Sequence, residues 1–240
     1  MTGSRQPPGT ASAATAAQLA LRFPLTSRYH FDTFEVGSNA ELVRRVLAVV
    51  DEPGFQGCFI DGPPGVGRTH LLQAACHRFA DPGGAIYLPL REVTPALLEG
   101  LSSRGLVALD DLDAWLGDDA AEAALVALYQ GLLGNAGRLL VSARAPAREL
   151  GFRFADLASR LRGLPAYHLQ GLDDAGKRRV LARLAAARGL ALTPAVLDFW
   201  LARSARDLAH LLEEFERLDR AAMAEQRRIT VPLIKNVLGL

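Results

Sequence analysis

The run Gly62-Pro63-Pro64-Gly65-Val66-Gly67-Arg68-Thr69 places three glycines, a cation and a hydroxyl at the spacing of a phosphate-binding loop. Glycines let the backbone turn so that successive N–H groups face phosphate oxygens, and Thr69 can offer its hydroxyl to a magnesium ion. Cys58-Phe59-Ile60 is a short apolar strand ahead of the loop, and Thr69 to Ala80 has helical period behind it. An anion would therefore meet a helix N-terminus. Gly62, Gly65, Val66, Gly67, Arg68, Thr69 and His70 are the candidate contacts to a bound nucleotide, ADP or ATP, with Mg2+. Lysine is usual where Arg68 stands; a guanidinium is broad and planar and needs more room than an ammonium. The chain has only two lysines, Lys177 and Lys235, against 25 arginines, so composition accounts for part of the exchange. Such a loop suits phosphate binding better than efficient hydrolysis. The plain alternative is a Gly/Pro turn joining a strand to a helix.

About 40 residues on, Leu106-Val107-Ala108-Leu109 is an apolar strand ending in Asp110 and Asp111. Ligands of parallel α/β sheets bind at the carboxyl ends of strands, so these acids should emerge beside the loop. Asp110 would hold the magnesium with Thr69, and Asp111 would orient an attacking water. An acidic pair here can also simply cap the next helix. Two arginines are further candidates. Arg206 follows Ser204 and precedes Asp207, which together read as a capping box. A cation in a first helical turn opposes the macrodipole, and a nearby phosphate would compensate it; a solvated surface arginine is the other reading. Arg160, in Asp156-Leu157-Ala158-Ser159-Arg160-Leu161, could reach a neighbouring subunit's γ-phosphate as an arginine finger, or pair with Asp156 at helical spacing.

Five apolar stretches, 57–61, 85–90, 105–110, 138–143 and 166–170, each lead into a turn and a helical segment. That alternation predicts an α/β fold, a five-stranded parallel sheet with helices on both faces. Beyond Gly171 only helical spacing remains, over 173–188, 194–203, 204–226 and 230–239, which predicts a small all-α lid. The expected organisation is a disordered tail over 1–17, a short peptide over 18–23, an α/β nucleotide-binding domain over 24–171 and a helical domain over 172–240. There is no internal repeat.

Of the 240 residues half are hydrophobic and 22% are charged, enough for a sizeable core. The net charge of +1, without a basic block, gives no support for general affinity to nucleic acid or anionic membrane. Cys58 and Cys76 read as buried thiols, not a disulfide or metal pair, which fits a reducing cytoplasm. No apolar run approaches the ~18 residues of a membrane span, and no signal peptide is expected.

Together these segments resemble the AAA+ module of the replication initiator DnaA, and more closely the Hda family of its short regulatory paralogues. The likeness is carried by Phe31-Asp32-Thr33-Phe34-Glu35-Val36-Gly37, by Gly65-Val66-Gly67-Arg68-Thr69-His70-Leu71-Leu72-Gln73-Ala74-Ala75 and by Ile86-Tyr87-Leu88-Pro89-Leu90. Asp156 to Leu161 and Ile229-Thr230-Val231-Pro232-Leu233-Ile234-Lys235 complete it. Arginine in place of the loop lysine also occurs in the Hda group. The resemblance implies that Phe34 to Gly37 lie near the adenine, that Gly65 to His70 wrap the phosphates and that Asp110 and Asp111 face magnesium. It makes Arg206 the sensor arginine of the lid and Arg160 the trans-acting finger. Where Arg144 stands the family usually has an acidic residue, which leaves Ser142 as the nearby polar substitute for the first sensor contact.

With Leu240 closing the sequence, the DNA-reading helix-turn-helix domain that follows this module in DnaA is not expected here. Gln18-Leu19-Ala20-Leu21-Arg22-Phe23 is similar to the clamp-binding peptide of Hda-like proteins. Gln18 and Leu19 would engage the β sliding clamp of DNA polymerase III while Leu21 and Phe23 fill an apolar pocket; the same apolar residues could instead dock on the protein's own core. The resemblance therefore implies a negative regulator of replication initiation, with DnaA and the clamp as partners, DNA reached only through the clamp, and possible self-association. Its own nucleotide would be structural and its own ATPase weak or absent. An autonomous loader-type AAA+ ATPase and a clamp adaptor with a decayed nucleotide site are the alternatives.

Overall fold

The computed structural model describes residues 23–81, 83–204, 207–225 and 228–240. Compactness divides the chain into two units. One comprises residues up to Phe34, Glu41–Pro63 and Gly67–Leu169; the other comprises Glu35–Ala40, Pro64–Val66 and Gln170–Leu240.

The first unit is built on strands β1 (Gln56–Asp61), β2 (Ala85–Pro89), β3 (Leu106–Asp110), β4 (Arg138–Ala143) and β5 (Ala166–His168). All pairings are parallel, in the order β2-β3-β4-β1-β5, with Cys58 beside Leu140 and Val107 beside Leu139. Successive side chains alternate between faces. Phe59, Val107, Leu109, Leu139 and Val141 enter one core, and their neighbours Cys58, Ile60, Ala108 and Leu140 are as deeply buried. Burial on both faces is why these strands are continuously apolar.

Helix α1 (Ala40–Asp51) buries Leu42, Val46, Val49 and Val50, a spacing of one helical stripe. Helix α2 (Arg68–Arg78) packs against β2, β3 and β4 and buries six consecutive residues from Leu71 to Cys76. The opposite face is covered by α3 (Asp119–Gly134) and α4 (Ala155–Arg162), through Leu125, Leu128, Leu157 and Leu161. Cys58 and Cys76 are free, buried thiols; burial pushes both up to about 12, so neither ionises near neutrality.

The second unit is helical: α5 (Asp174–Ala187), α6 (Pro194–Leu201), α7 (Leu208–Glu225) and α8 (Val231–Leu238). Asp173, Thr193 and Thr230 cap three of these starts, and prolines sit in the first turns of α6 and α8. Trp200, Phe215, Leu181, Leu211, Leu218 and Ile234 form its core. The buried Trp200 indole donates to Glu214 at 2.7 Å. The long helix begins at Leu208, not at 204 as expected. Asp207 accepts from the His210 N–H at 2.9 Å, while the buried Ser204 hydroxyl has no partner, so the anticipated capping box is replaced by a single Asp207 cap. Among the described residues no helix is long and apolar enough to cross a membrane.

Candidate nucleotide site

The phosphate loop leaves the carboxyl end of β1, where the Gly62 N–H donates to the Ala143 carbonyl of β4 at 3.3 Å. Gly65 and Gly67 adopt φ of 81° and 110°, left-handed values that a side chain resists. Gly67 is the residue before α2, and a Cβ added there would lie 3.3 Å from the Phe34 ring. Within the second unit, a Cβ added at Gly65 would come 2.9 Å from that of Ala209. Both glycines are thus required by conformation and by space.

Around β3 the acids are densely bonded. Asp110 is 4% exposed and accepts from Thr69 Oγ1 at 2.6 Å, from the Tyr87 hydroxyl at 2.8 Å and from the Ser142 hydroxyl. Burial, then the Asp110 charge and hydrogen bond, hold the Tyr87 phenol well above its ordinary range, so it remains a donor. Asp111 sits at φ 57° and ψ 53°, an uncommon conformation for a non-glycine residue. Both its oxygens are engaged: Arg68 donates to one at 2.9 Å and Arg91 Nε to the other at 2.7 Å. Its N–H donates to Ser142 Oγ at 3.1 Å. Arg91 continues to Asp113 at 3.1 Å, and Asp113 also accepts the Arg144 N–H at 2.8 Å.

Arg68 is 8% exposed, and its NH1 is buried without a partner. An orphaned, buried cationic donor at the first residue of a helix fits a phosphate oxygen as its missing acceptor. The Thr69 hydroxyl and the Asp110 carboxylate are hard oxygen ligands suited to magnesium. Among the described residues there is no group of three His, Cys, Asp or Glu side chains that could hold a metal ion.

Of the expected site residues, the structure brings Arg68 against Asp111 and Thr69 against Asp110, and it adds Tyr87, Arg91 and Asp113, which the sequence did not single out. Arg91 and Asp113 lie just beyond the carboxyl ends of β2 and β3, the edge where such sites form, and that placement was the available signal; Tyr87 reaches Asp110 from the middle of β2. Ser142 does reach Asp110, and Arg144 turns to Asp113 instead. The His70 side chain faces the N-terminal segment, bonding the His30 carbonyl at 3.0 Å and stacking on Tyr29 at 4.7 Å. Phe34 meets the same imidazole edge-on at 5.2 Å. Glu35, in the second unit, pairs with Arg179 at 2.9 Å, and Asn39 exchanges two hydrogen bonds with the Gln170 backbone.

Arg160 lies on α4 with a quarter of its side chain exposed; it pairs with Asp156 at 2.9 Å and lies over the Tyr129 ring at 5.3 Å. Arg206 and residues 18–22, including Gln18, Leu19 and Leu21, lie outside the described residues. Phe23 is half-buried and packs against the main core of the first unit.

Two family models match separate parts of the chain. Residues 25–83 match the bacterial DnaA ATPase domain, and residues 174–238 match the lid domain of Hda. Among solved structures, the chain is similar to domain III of the Thermotoga maritima replication initiation protein DnaA, with a TM-score of 0.81 and 19% identity over 90% of this chain and 98% of that one. AMPPCP-bound DnaA from Aquifex aeolicus matches with a TM-score of 0.65 and 22% identity, covering 85% and 71%. The RuvB Holliday junction branch migration motor of Thermotoga maritima matches with a TM-score of 0.65 and 17% identity, covering 84% and 69%.

Proposed function

We propose that this chain is an Hda-like AAA+ protein, as its two family matches support, and that it restrains replication initiation by stimulating hydrolysis of ATP bound to DnaA. The observation that carries the proposal is the state of Arg160. Its guanidinium is held at the surface by one half-exposed carboxylate and one aromatic face. A solvent-exposed ion pair contributes about 0–1 kcal/mol. An arginine finger contributes roughly 10³–10⁵ in rate, or about 4–7 kcal/mol at 1.4 kcal/mol per tenfold. Releasing Asp156 to meet a phosphoryl group in trans is therefore affordable by a wide margin.

The protein's own nucleotide acts as a structural ligand. Arg68, with one guanidinium nitrogen on Asp111 and another unpartnered, supports an anion-holding role. Its bulk where the outer phosphates lie favours ADP. Magnesium, when bound with the nucleotide, would neutralise phosphate charge beside Thr69 and Asp110. Each Asp111 oxygen already accepts from an arginine, which competes with orienting an attacking water and favours weak hydrolysis in cis. Gln18, Leu19 and Leu21 would tether the protein to the DNA-loaded sliding clamp in the cytoplasm; Phe23, which packs on the protein's own core, would have to leave it to fill the clamp's apolar pocket.

The test is a titration of clamp–DNA complexes carrying ATP-bound DnaA with wild type, Arg160→Ala and Gln18→Ala/Leu21→Ala. The finger variant should lose stimulation while still binding the clamp, and the peptide variant should lose clamp capture. Equal stimulation by wild type and Arg160→Ala would remove the finger assignment. The intact Thr69–Asp110 pair favours the autonomous ATPase as the second reading, and robust steady-state turnover without DnaA would select it.

A further inference from the structure

Helix α4 is short, eight residues, and the residue before it, Phe154, has no side-chain cap of its own. A helix of that length is marginal unless its orphan N–H groups and its apolar face are held from outside. The hold comes from α3. Glu122 is fully buried, and its carboxylate accepts the N–H groups of Phe154 at 2.8 Å, Arg153 at 2.9 Å and Gly117 at 3.0 Å. Two helical turns further along α3, at the same face, Tyr129 lies under the Arg160 guanidinium at 5.3 Å. Phe55 backs the Tyr129 ring at 5.2 Å, so the ring is itself supported. Between the two contacts, Leu125 and Leu128 of α3 join Leu157 and Leu161 of α4 in the core.

From this arrangement we propose that α3 is a positioning platform for the trans-acting arginine: Glu122 fixes where α4 begins, and the Tyr129 ring fixes where its guanidinium lies. The proposal rests on reading Arg160 as the finger. A long arginine side chain has several rotatable bonds, and presenting it pre-ordered lessens the entropy lost when it meets a phosphoryl group. The aromatic face is suited to this because it attracts the cation without using its N–H groups, which stay available for oxygen acceptors. Asp156 uses one of those groups, Nε, and is the contact that must yield. Neither Glu122 nor Tyr129 touches the reacting atoms; both act through Arg160.

The experiment measures DnaA-bound ATP hydrolysis on clamp–DNA against concentration of the full-length protein, separating the maximal rate from the half-saturating concentration. Tyr129→Leu should lower the maximal rate about three- to tenfold, in line with a partly desolvated cation–π contact, with little change in half-saturation. Tyr129→Phe, which keeps the ring, should restore the rate. Glu122→Gln should lower the maximal rate in the same manner, with nucleotide binding retained as proof of folding. A Tyr129→Leu rate equal to wild type, in an assay where Arg160→Ala is inactive, overturns the platform and leaves the finger standing. A loss confined to half-saturation makes Tyr129 a docking residue and also overturns it. Full activity of Arg160→Ala removes the premise itself.

Discussion

Arg68 and Asp111 are separated by 43 positions in the chain and 2.9 Å in space, and their pairing is what the loop motif alone does not disclose. Each residue could be picked out by type and spacing. Their mutual engagement depends on β3 lying across β4 from β1, and on Asp111 adopting a left-handed backbone that turns its carboxylate to Arg68 and Arg91. In a linear reading Arg91 is marked only by its place directly after the apolar stretch 85–90. Removing the guanidinium by Arg68→Ala should lower nucleotide affinity ten- to a hundredfold, since a charged hydrogen bond contributes about 1.5–3 kcal/mol. Titration with a fluorescent ADP analogue measures this, and an unchanged dissociation constant would mean that Arg68 serves only Asp111.

At the scale of elements, β1 to β4 were legible because burial on both faces leaves runs too apolar and too short to be anything else, whereas β5 is an exposed edge strand. The expected 138–143 coincides with β4, and 166–170 overruns the short β5 by two residues. The 3-10 turns at Pro95–Leu98 and Leu101–Ser103 were not legible, since segments that short show no periodicity. Nor was the start of α7, because Ser204 and Asp207 both look like caps and only three-dimensional context selects Asp207. Glu122 was invisible for a related reason: two of its three partners, the N–H groups of Arg153 and Phe154, are 31 and 32 residues away. Burial alone would raise its carboxyl, but the N–H groups of Phe154, Gly117 and Arg153, with the Arg153 charge, pull it below its ordinary value. A lowered folded-state pKa contributes stability fully present above the unfolded value, about 4.3, and lost as pH falls through the folded one. Urea midpoints of wild type should therefore fall more steeply below about pH 4.3 than those of Glu122→Gln. Parallel slopes would show that Glu122 is not the responsible group. The cap of the same helix gives a simpler expectation. Asp118 accepts the N–H groups of Ala120 and Ala121 at 2.9 and 3.0 Å, so Asp118→Ala should cost about 1 kcal/mol in unfolding free energy.

For the molecule as a whole, the proposed regulatory role makes a bound nucleotide a structural ligand, and stability is where that shows. The chain's net charge of +1 offers no field to attract DNA, and on the proposed reading its place near DnaA would come from protein contacts. A ligand held only in the folded state raises stability by RT ln(1 + [L]/Kd), about 2.7 kcal/mol at a hundredfold excess over Kd. For a chain of this length each kcal/mol moves Tm by about 2–4 °C, so saturating ADP with magnesium should raise Tm by roughly 5–10 °C. Thermal denaturation with ADP, ATP and neither measures this in one experiment. The shift should be larger for ADP than for ATP, because the Arg68 guanidinium takes space that an ammonium would leave to the outer phosphate. It should shrink in Arg68→Ala, whose site has lost the buried donor. A Tm indifferent to both nucleotides at every concentration would instead select the adaptor whose site has decayed, and would leave Arg68, Asp111 and Arg91 as an ion-pair cluster that only braces the sheet edge.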